Sequence, residues 1–316
     1  MDQSEVGHVP VLLDEVLELL TPRAGDVVVD GTLGRGGHAA AIIPRIAGGA
    51  YLGMDLDGGN LRFAEERLRP IAEENNVRLI TVQGNFAGAG AAMKEAGLAA
   101  ADCLLADLGF ASNQMDDPGR GFSFAGDGPL DMRLAPGAPE NDHNEWADDG
   151  FPPGTAAALV NTLPERELAD VIYRYGEERR SRQIARKIIE RRSDSPILKT
   201  NELAEICRRA YGPSAQRSKI HPATRTFQGL RIAVNGELDA LDALLQEIPA
   251  LLNPGGRAGI ISFHSLEDRP VKQAFLKLQQ DDLAERLTRK PLTAGPEELA
   301  RNPRSRSAKL RGIRRC

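Results

Sequence analysis

The sequence has little of the chemistry that crosslinks a chain or binds a metal ion. Its 316 residues include three cysteines and five histidines. Cys103, Cys207 and Cys316 are far apart and form no pair at the spacing of a zinc or redox motif, and the histidines are scattered. We therefore expect no disulfide framework and no metal site, which fits a protein of the reducing cytoplasm.

Long hydrophobic runs are also missing. No apolar stretch approaches the roughly 18 residues that a membrane span requires. The first ten residues carry Asp2 and Glu5 and lack the basic segment that precedes the apolar part of a secretory signal. We therefore expect neither a membrane protein nor a secreted one. With 41% hydrophobic residues the chain can form a sizeable core, and its length suggests two domains of about 150 residues or one domain with a large insertion.

Acidic and basic residues are unevenly distributed. The net charge is −5, but residues 301–316 contain seven basic residues and no acidic one, which leaves 33 basic and 45 acidic residues elsewhere. A second basic segment, residues 179–192, has seven basic residues and one acidic residue. An acidic body with two basic segments predicts a local contact with a polyanion. The tail 301–316 has no apolar core of its own, so we expect it to lie on a surface.

Short apolar runs alternate with helical patterns in the first third of the chain. Strands are expected at residues 26–30, 50–54, 77–82 and 101–106, with a fifth at 258–263. This alternation predicts a doubly wound α/β sheet, in which ligands bind beyond the carboxyl ends of the strands. Asp30, Asp55 and Asp107 each fall at such an end. Together with Asp57 they are expected to form an acidic rim.

The alternation stops after the fourth strand. Residues 109–139 are rich in Gly, Pro and Asp, which is typical of a functional loop, and the glycines would permit the movements of a lid. Residues 140–221 have mostly helical patterns. The predicted organisation is a sheet domain of residues 1–134 and 222–316, interrupted by a helical domain of residues 135–221.

One long amphipathic helix is predicted from Thr224 to Ile248, because apolar residues recur there at core spacing. Four polar residues lie along one side of it: Arg225, Gln228, Arg231 and Asn235. A solvated face is one interpretation of this set. Contact with the substrate or with the glycine-rich loop is the other, and the position beside the fifth strand favours it.

A glycine-rich turn follows the first strand. It has the pattern Gly34-x-Gly36-x-x-Ala39 at the start of a helix, and Asp55 follows about 20 residues later, as in dinucleotide-binding turns. Asp30 stands just before the turn, where a carboxylate repels a diphosphate and attracts an ammonium group. The acidic strand ends therefore favour S-adenosylmethionine, which carries an ammonium and a sulfonium, over NAD. A nicotinamide site and a tight turn without a ligand are the alternatives.

A series of short motifs runs along nearly the whole chain. In order they include His8-Val-Pro-Val-Leu-Leu-Asp-Glu15, Asp30-Gly-Thr-Leu-Gly-Arg-Gly-Gly-His38, Asp107-Leu-Gly109, Arg120-Gly-Phe-Ser-Phe124, Gly128-Pro-Leu-Asp-Met-Arg133, Tyr175-Gly-Glu-Glu178, His221-Pro-Ala-Thr-Arg225, Ile261-Ser-Phe-His-Ser-Leu-Glu-Asp-Arg269 and Ser307-Ala-Lys-Leu-Arg311. Together they resemble the bacterial 16S ribosomal RNA (cytosine-N4)-methyltransferase family. The sequence departs from the family pattern at Phe110-Ala-Ser-Asn-Gln114, where Val-Ser-Ser-Pro-Gln is usual, and at Gly229, where alanine is usual.

The resemblance implies a Rossmann-like class I S-adenosylmethionine-dependent methyltransferase with an inserted helical domain that recognises RNA. Its acceptor would be the exocyclic N4 of a cytosine in the decoding region of 16S ribosomal RNA, within a small-subunit particle in the cytoplasm. Carried over by position, the methionine part of the cofactor would be lined by Gly36, Gly37 and His38, the ribose would be held by Asp55 and the adenine by Phe86. Asp107 and Gln114 would complete the pocket.

Asp107 is also the candidate catalytic residue. The lone pair of the cytosine amine is delocalised into the ring, and a hydrogen-bond acceptor beside the amine would orient it for attack. The alternative is that Asp107 only binds the cofactor. Phe122 and Phe124 would either flank the target base or anchor their own loop. At the level of function, the rivals are a methyltransferase with another acceptor and a non-catalytic RNA-binding or assembly factor with a cofactor pocket.

Overall fold

The chain folds into two compact units in a computed structural model that describes residues 10–135 and 154–316. The sheet unit contains the described residues up to Gly109 together with Leu238–Cys316, and the helical unit contains those of the Phe110–Glu237 segment. The borders of the two units lie at 109/110 and 237/238, so residues 110–134 and 222–237, which were expected in the sheet domain, group with the insertion. His8, Trp146 and the expectations for residues 136–153 lie outside the described residues.

Both units contain several helices. In chain order they are α1 (Leu13–Leu20), α2 (Gly37–Ile42), α3 (Gly58–Glu74), α4 (Ala89–Glu95), α5 (Ser112–Asp116), α6 (Ala156–Thr162), α7 (Glu165–Gly176), α8 (Ser181–Arg192), α9 (Thr200–Tyr211), α10 (Thr224–Asn235), α11 (Glu237–Leu251), α12 (Ser265–Gln280) and α13 (Pro296–Arg301). Helices α5 to α10 belong to the helical unit. Within the described ranges, no helix has both the length and the apolar character to cross a membrane.

The sheet unit is built on a seven-stranded mixed sheet in the described part of the chain. Its strands are β1 (Val27–Asp30), β2 (Ala50–Asp55), β3 (Arg78–Gln83), β4 (Ala101–Asp107), β5 (Leu252–Ser262), β6 (Ala284–Arg286) and β7 (Lys309–Arg315). Their order is β3-β2-β1-β4-β5-β7-β6, in which β1 to β5 are parallel and β7 is antiparallel to both of its neighbours. The predicted Rossmann-like α/β fold is confirmed.

Both faces of this sheet are covered, which explains the continuous apolar runs of its strands. Successive side chains of a strand point to opposite faces. Val29 accordingly packs in one core with Leu104 of β4, while its neighbour Val28 packs in the other with Tyr51 of β2. The glycine turn and the strand ends are therefore carried by a scaffold that is packed on two sides.

The tail is the clearest disagreement with the sequence-based expectation. Residues 309–315 do not lie on a surface; they form the strand β7, between β5 and β6. Leu310 and Ile313 are fully buried on opposite faces of the sheet. A side chain at Gly312 would collide with Leu19, whose Cδ1 lies 2.4 Å from the Cβ position. The expectation was wrong because basic residues interrupt the short apolar pattern of this strand.

The prediction of one long helix is also wrong, because the segment forms two helices, α10 and α11. Gly236 has a φ of +58° and separates α10 from α11. It ends α10 in a left-handed C-cap, with its N–H donating to the carbonyl of Ile232. Within the helical unit, α10 approaches α7 through glycines: a Cβ at Gly229 would lie 3.0 Å from the backbone nitrogen of Gly176. This close approach accounts for glycine in place of the alanine that is usual in the resembling family.

Candidate functional site

The sheet brings the predicted carboxylates together at one edge. The strand order reverses between β1 and β4, and ligands of doubly wound sheets bind at such a switch point, beyond the carboxyl ends of the strands. Asp30 ends β1 and Asp107 ends β4, on either side of this point, and Asp55 ends the neighbouring strand β2. The position of these three residues is therefore the one predicted from the strand pattern.

The glycine turn is tied to the end of β2. Gly34 and Gly36 have φ values of +53° and +76°, which side-chain-bearing residues rarely adopt. The N–H of Gly34 donates to Oδ2 of Asp55 at 2.7 Å. A Cβ at Gly36 would lie 3.0 Å from Leu68, and one at Gly37 would lie 3.2 Å from Pro10. These glycines are thus required by the backbone conformation and by close packing of the turn.

Asp55 keeps hydrogen-bonding capacity for a ligand. Its Oδ1 accepts from the N–H of Asp57 at 2.7 Å, so each oxygen has one backbone donor and a second lone pair remains on each. Burial raises the pKa of Asp55 to about 6 against the effect of these hydrogen bonds. Asp57 plays a different part from the one expected at the rim: it is buried and caps α3 through the N–H groups of Gly59 and Asn60.

Asp30 is buried and bound by protein groups on both oxygens. Its Oδ2 accepts from the hydroxyl of Tyr51 at 2.7 Å, and its Oδ1 accepts from the N–H of Thr32 at 3.0 Å. Burial raises the pKa of Asp30 to about 6, against the hydrogen bonds from Tyr51 and Thr32. With 2% of its surface exposed, Asp30 is far more enclosed than a residue of an open rim.

Asp107 has a buried oxygen without a partner. Its Oδ1 accepts no hydrogen bond from any described residue. An unsatisfied buried acceptor costs on the order of 1–3 kcal/mol, so a ligand donor at this position would be favoured. Burial, followed by the nearby carboxylates of Asp30 and Glu267, raises the pKa of Asp107 well above its usual range. The end of β4 is therefore ready to accept a hydrogen from a ligand amine or hydroxyl.

Glu267 is a site residue that the sequence did not single out. It is 2% exposed in the first turn of α12, where its Oε2 accepts from the N–H of Phe263 at 2.8 Å. Its Oε1 lies 3.1 Å from Nε2 of His264. The spacing His264-x-x-Glu267 is that of a capping box and was the available signal.

The other predicted cofactor residues of the sheet unit lie around the turn. His38 is buried in the first turn of α2 and donates from Nε2 to the carbonyl of Val11 at 3.0 Å. Phe86 follows the end of β3 and packs on Gly31, where a Cβ would lie 2.7 Å from the Cβ of Phe86. Gln114 belongs to the helical unit, where it is buried and accepts at Oε1 from the N–H of Ala111 at 2.9 Å.

The glycine-rich segment is fastened within the helical unit. Thr200 donates to the carbonyl of Gly126 and accepts from the N–H of Gly128, each at 3.1 Å. Asn235 donates to the carbonyl of Met132 and accepts from the N–H of Leu134, each at 2.8 Å. The described part of this segment is thus a braced loop, which does not support the expectation of a lid.

The two phenylalanines of the segment are loop anchors in this structure. The ring of Phe122 stacks on Phe110 with centroids 5.1 Å apart and an interplanar angle of 8°. Phe124 packs between His221 and Phe227, at centroid distances of 4.5 and 5.0 Å. These contacts favour the anchoring interpretation over a role in flanking the target base.

The polar side of α10 contacts protein groups. Arg225 and Gln228 donate to carbonyls that follow or end α7, those of Glu177 and Tyr175. Arg231 forms a two-bond ion pair with Glu237, and its guanidinium lies 4.8 Å from the ring centroid of Phe110. Together with the bonds of Asn235, these contacts favour the loop-contact interpretation over a merely solvated face.

Both basic segments contain paired and unpaired charges. Lys309 and Arg311 contact Asp268, at 3.4 and 2.7 Å, and Arg314 contacts Glu285 at 2.5 Å. In the other segment, Arg179 and Arg182 are exposed and have no hydrogen bond or ion pair with a described residue. Exposed arginines without a partner among the described residues also occur in the tail, at Arg301 and Arg306.

Known protein sequences match this chain over nearly its whole length. The profile of the MraW methylase family matches residues 5–316. Ribosomal RNA small subunit methyltransferase H of Sorangium cellulosum is 46% identical over 308 residues, which cover 98% of this chain and 90% of that protein. The protein of the same name from Synechococcus sp. (strain CC9902) is 48% identical over 313 residues, covering 98% and 97%. Among solved structures, an rRNA methylase from Streptococcus thermophilus covers 96% of this chain and 93% of its own, with a TM-score of 0.42 and 10% identity.

Proposed function

Because the chain belongs to the MraW methylase family, we propose that it transfers a methyl group from S-adenosylmethionine to the exocyclic N4 of a cytosine in the decoding region of 16S ribosomal RNA. The RNA of the small ribosomal subunit is the substrate class in the names of its relatives. We expect the RNA to be presented in a small-subunit particle, which places the reaction in the cytoplasm. The observation that carries the chemistry is the unpaired, buried Oδ1 of Asp107 at the switch point of the sheet.

The residues at the carboxyl edge fit S-adenosylmethionine. When bound, this cofactor supplies a methyl group activated by its sulfonium. Two buried carboxylates at the edge, Asp30 and Asp107, match a cationic ligand better than a diphosphate. Asp55 has free lone pairs for the two hydroxyls of a ribose. By position in the family, Gly36, Gly37 and His38 would lie along the methionine part and Phe86 on the adenine.

Two roles of Asp107 are open in this proposal. In the first, Oδ1 accepts a hydrogen of the cytosine amine and turns the nitrogen lone pair toward the methyl group, which lowers the barrier by orientation. In the second, Oδ1 accepts a hydrogen of the cofactor, and the amine is oriented by other groups. The predicted contact of Gln114 with the cofactor also stays a prediction.

Kinetics of Asp107 variants separate the two roles. We expect Asp107→Asn and Asp107→Ala to keep a low kcat at saturating S-adenosylmethionine if the residue orients the amine. If it only binds the cofactor, saturation restores kcat and the loss is confined to KM. The matched control is Asp55→Ala, which should weaken cofactor binding by about 1.5–3 kcal/mol in calorimetry through loss of charge-assisted hydrogen bonds.

Product analysis tests the reaction itself. The purified protein is incubated with methyl-tritiated S-adenosylmethionine and either small ribosomal subunits or naked 16S RNA that lacks the modification. We expect label in N4-methylcytidine after digestion to nucleosides, and more of it from the particle than from naked RNA. Label in another nucleoside, or in protein alone, would contradict the proposed acceptor.

We place RNA binding on the helical unit. Arg179 and Arg182 carry free positive charge there, and positive charge is what the phosphate backbone requires. Tyr173 of α7 is 59% exposed and offers an aromatic face, on which unstacked bases of RNA commonly stack. In this proposal the sheet unit carries out methyl transfer and the helical unit contacts the RNA.

A further inference from the structure

We propose that Thr32 is a positioning residue that holds Asp107 in place through a hydrogen-bonded chain of side chains reaching to the buried Tyr51. The inference rests on the proposed function, because it assigns a support to the residue that faces the reacting groups. The motif around Thr32 suggested only a glycine turn. The structure adds a hydrogen-bonded chain that runs from Tyr51 in β2 to the carboxyl ends of β1 and β4.

The first link is the backbone of Asp107. Successive N–H groups of a parallel strand point alternately to its two neighbours. The N–H of Leu108 donates to the carbonyl of Ile261 in β5, so the N–H of Asp107 points to the β1 side. There β1 has already ended at Asp30, and no strand carbonyl is opposite. Instead, the hydroxyl oxygen of Thr32 accepts this hydrogen at 2.6 Å.

The second link orients that hydroxyl. Because Oγ1 of Thr32 accepts from Asp107, its own hydrogen is available for Oδ1 of Asp30, which lies 3.4 Å away. The N–H of Thr32 donates to the same oxygen at 3.0 Å. Both bonds fix Thr32 against the carboxylate of Asp30.

The third link holds Asp30. The hydroxyl of Tyr51 donates to its Oδ2 at 2.7 Å, and Tyr51 is fully buried in β2. Asp30 therefore has a protein donor on each oxygen, and it acts through Thr32 on Asp107.

The chain matters because methyl transfer depends on fixed geometry. Displacements of about 0.5 Å in a catalytic side chain are enough to impair such a site, and residues that support a site are held by buried hydrogen bonds. Val in place of Thr keeps the shape of the side chain and removes the acceptor. Ser in place of Thr keeps the hydroxyl oxygen that accepts the hydrogen bond. Comparison of the two variants therefore separates the effect of hydrogen bonding from that of packing.

The test combines NMR of the free protein with kinetics. In ¹⁵N-labelled wild-type protein we expect the amide hydrogen of Asp107 to be shifted downfield and to exchange slowly with solvent. In Thr32→Val the signal should move upfield, and kcat/KM for methyl transfer should fall about 10- to 100-fold. Thr32→Ser should keep the shift and most of the rate. When Thr32→Val is added to Asp107→Ala, kcat/KM should fall little further, because both substitutions impair the same function.

Three results would overturn the inference. They are fast exchange of the Asp107 amide in the wild type, an unchanged Asp107 signal in Thr32→Val, and a rate loss in Thr32→Val that adds fully to that of Asp107→Ala. If Thr32→Val does not fold, Tyr51→Phe replaces it, and unchanged signals of Thr32 and Asp107 in that variant would equally refute the chain. A wild-type protein that transfers no methyl group would defeat the proposed function, while the amide measurements would still decide this inference.

Discussion

The segments 179–192 and 301–316 each contain seven basic residues, yet the fold uses them in different ways. In the tail, β7 is an interior strand, and Lys309, Arg311 and Arg314 meet carboxylates of its neighbours. Arg315 of the same strand donates to the carbonyl of Leu252. In the other segment, α8 buries one apolar stripe and leaves the opposite side exposed.

The difference comes from the geometry of the two elements. A strand inside a sheet has neighbours on both sides and on both faces. Its basic side chains must therefore pair with groups of those neighbours or extend to an edge of the sheet. A surface helix buries about a third of its circumference, and charges on the remainder stay in water. We therefore expect the paired charges of β7 to contribute to stability and the unpaired charges of the α8 segment to contribute to the affinity for a polyanion.

Deletion of Lys309–Cys316 should have the largest effect. It removes the partner strand of both β5 and β6 and exposes the cores that Leu310 and Ile313 join. We expect loss of the cooperative unfolding transition in thermal denaturation monitored by circular dichroism. A truncated protein with the wild-type melting temperature would show that β7 is dispensable and that the tail is, after all, a surface segment.

Arg311→Met should destabilise without unfolding. The Arg311 and Asp268 side chains are 8% and 15% exposed, and the variant leaves the carboxylate with Lys309 alone. Breaking a buried pair from one side costs on the order of 3 kcal/mol, measured as the free energy of unfolding in urea. RNA affinity should not change. A loss of RNA affinity with unchanged stability would reverse the assignment of the tail.

The same ion pair predicts a pH dependence. Burial opposes ionisation of Asp268, but Arg311 and Lys309 outweigh it and lower its pKa. A lowered folded-state pKa contributes stability above the unfolded-state value, and this contribution is lost as the pH falls through the folded-state value. We therefore expect the stability difference between wild type and Arg311→Met to shrink in acid. A difference that is constant from neutral pH into that acidic range would contradict the pairing.

Loss of charge on the exposed segment should change binding and not stability. Arg179→Ala combined with Arg182→Ala should weaken RNA binding and reduce the slope of log K against log salt by up to roughly 0.7–0.9 per phosphate contact. The product should remain the same methylated nucleoside. The matched control is Lys187→Ala, whose ammonium is paired with Glu190 at 2.6 Å. Equal slopes for wild type and the double variant would remove this surface from the RNA interface.

Arg314→Met should have the smallest effect. Its partner Glu285 is 57% exposed and the arginine 48% exposed, and such pairs contribute about 0–1 kcal/mol because water screens them. This variant calibrates the comparison within β7, since it removes a charge from the same strand as Arg311→Met. A destabilisation as large as that of Arg311→Met would mean that position in the sheet, and not burial of the pair, decides the cost.

The position of the candidate site in the fold could be predicted from the sequence where the signal was local. The glycine turn, with the carboxylates that end β1, β2 and β4, follows from strand pattern and spacing alone. The roles within the set did not follow. Asp57 resembled a ligand and is a helix cap, and Asp30 resembled a ligand and is enclosed by Tyr51 and Thr32. The sequence identifies an aspartate but does not indicate whether protein donors already bind its carboxylate oxygens.

By itself the sequence determined the fold class, the family and the edge of the sheet where the candidate site lies, because those depend on short-range periodicity and on motifs. The tertiary structure alone decided which charges are paired and which loops are braced. Arg311 meets Asp268 across 43 residues, and Asn235 fastens Leu134 across 101. Periodicity tells which face of an element is apolar, but not which element will lie against it. Partners so distant along the chain are specified only when packing of the whole core fixes the neighbours of each strand and helix.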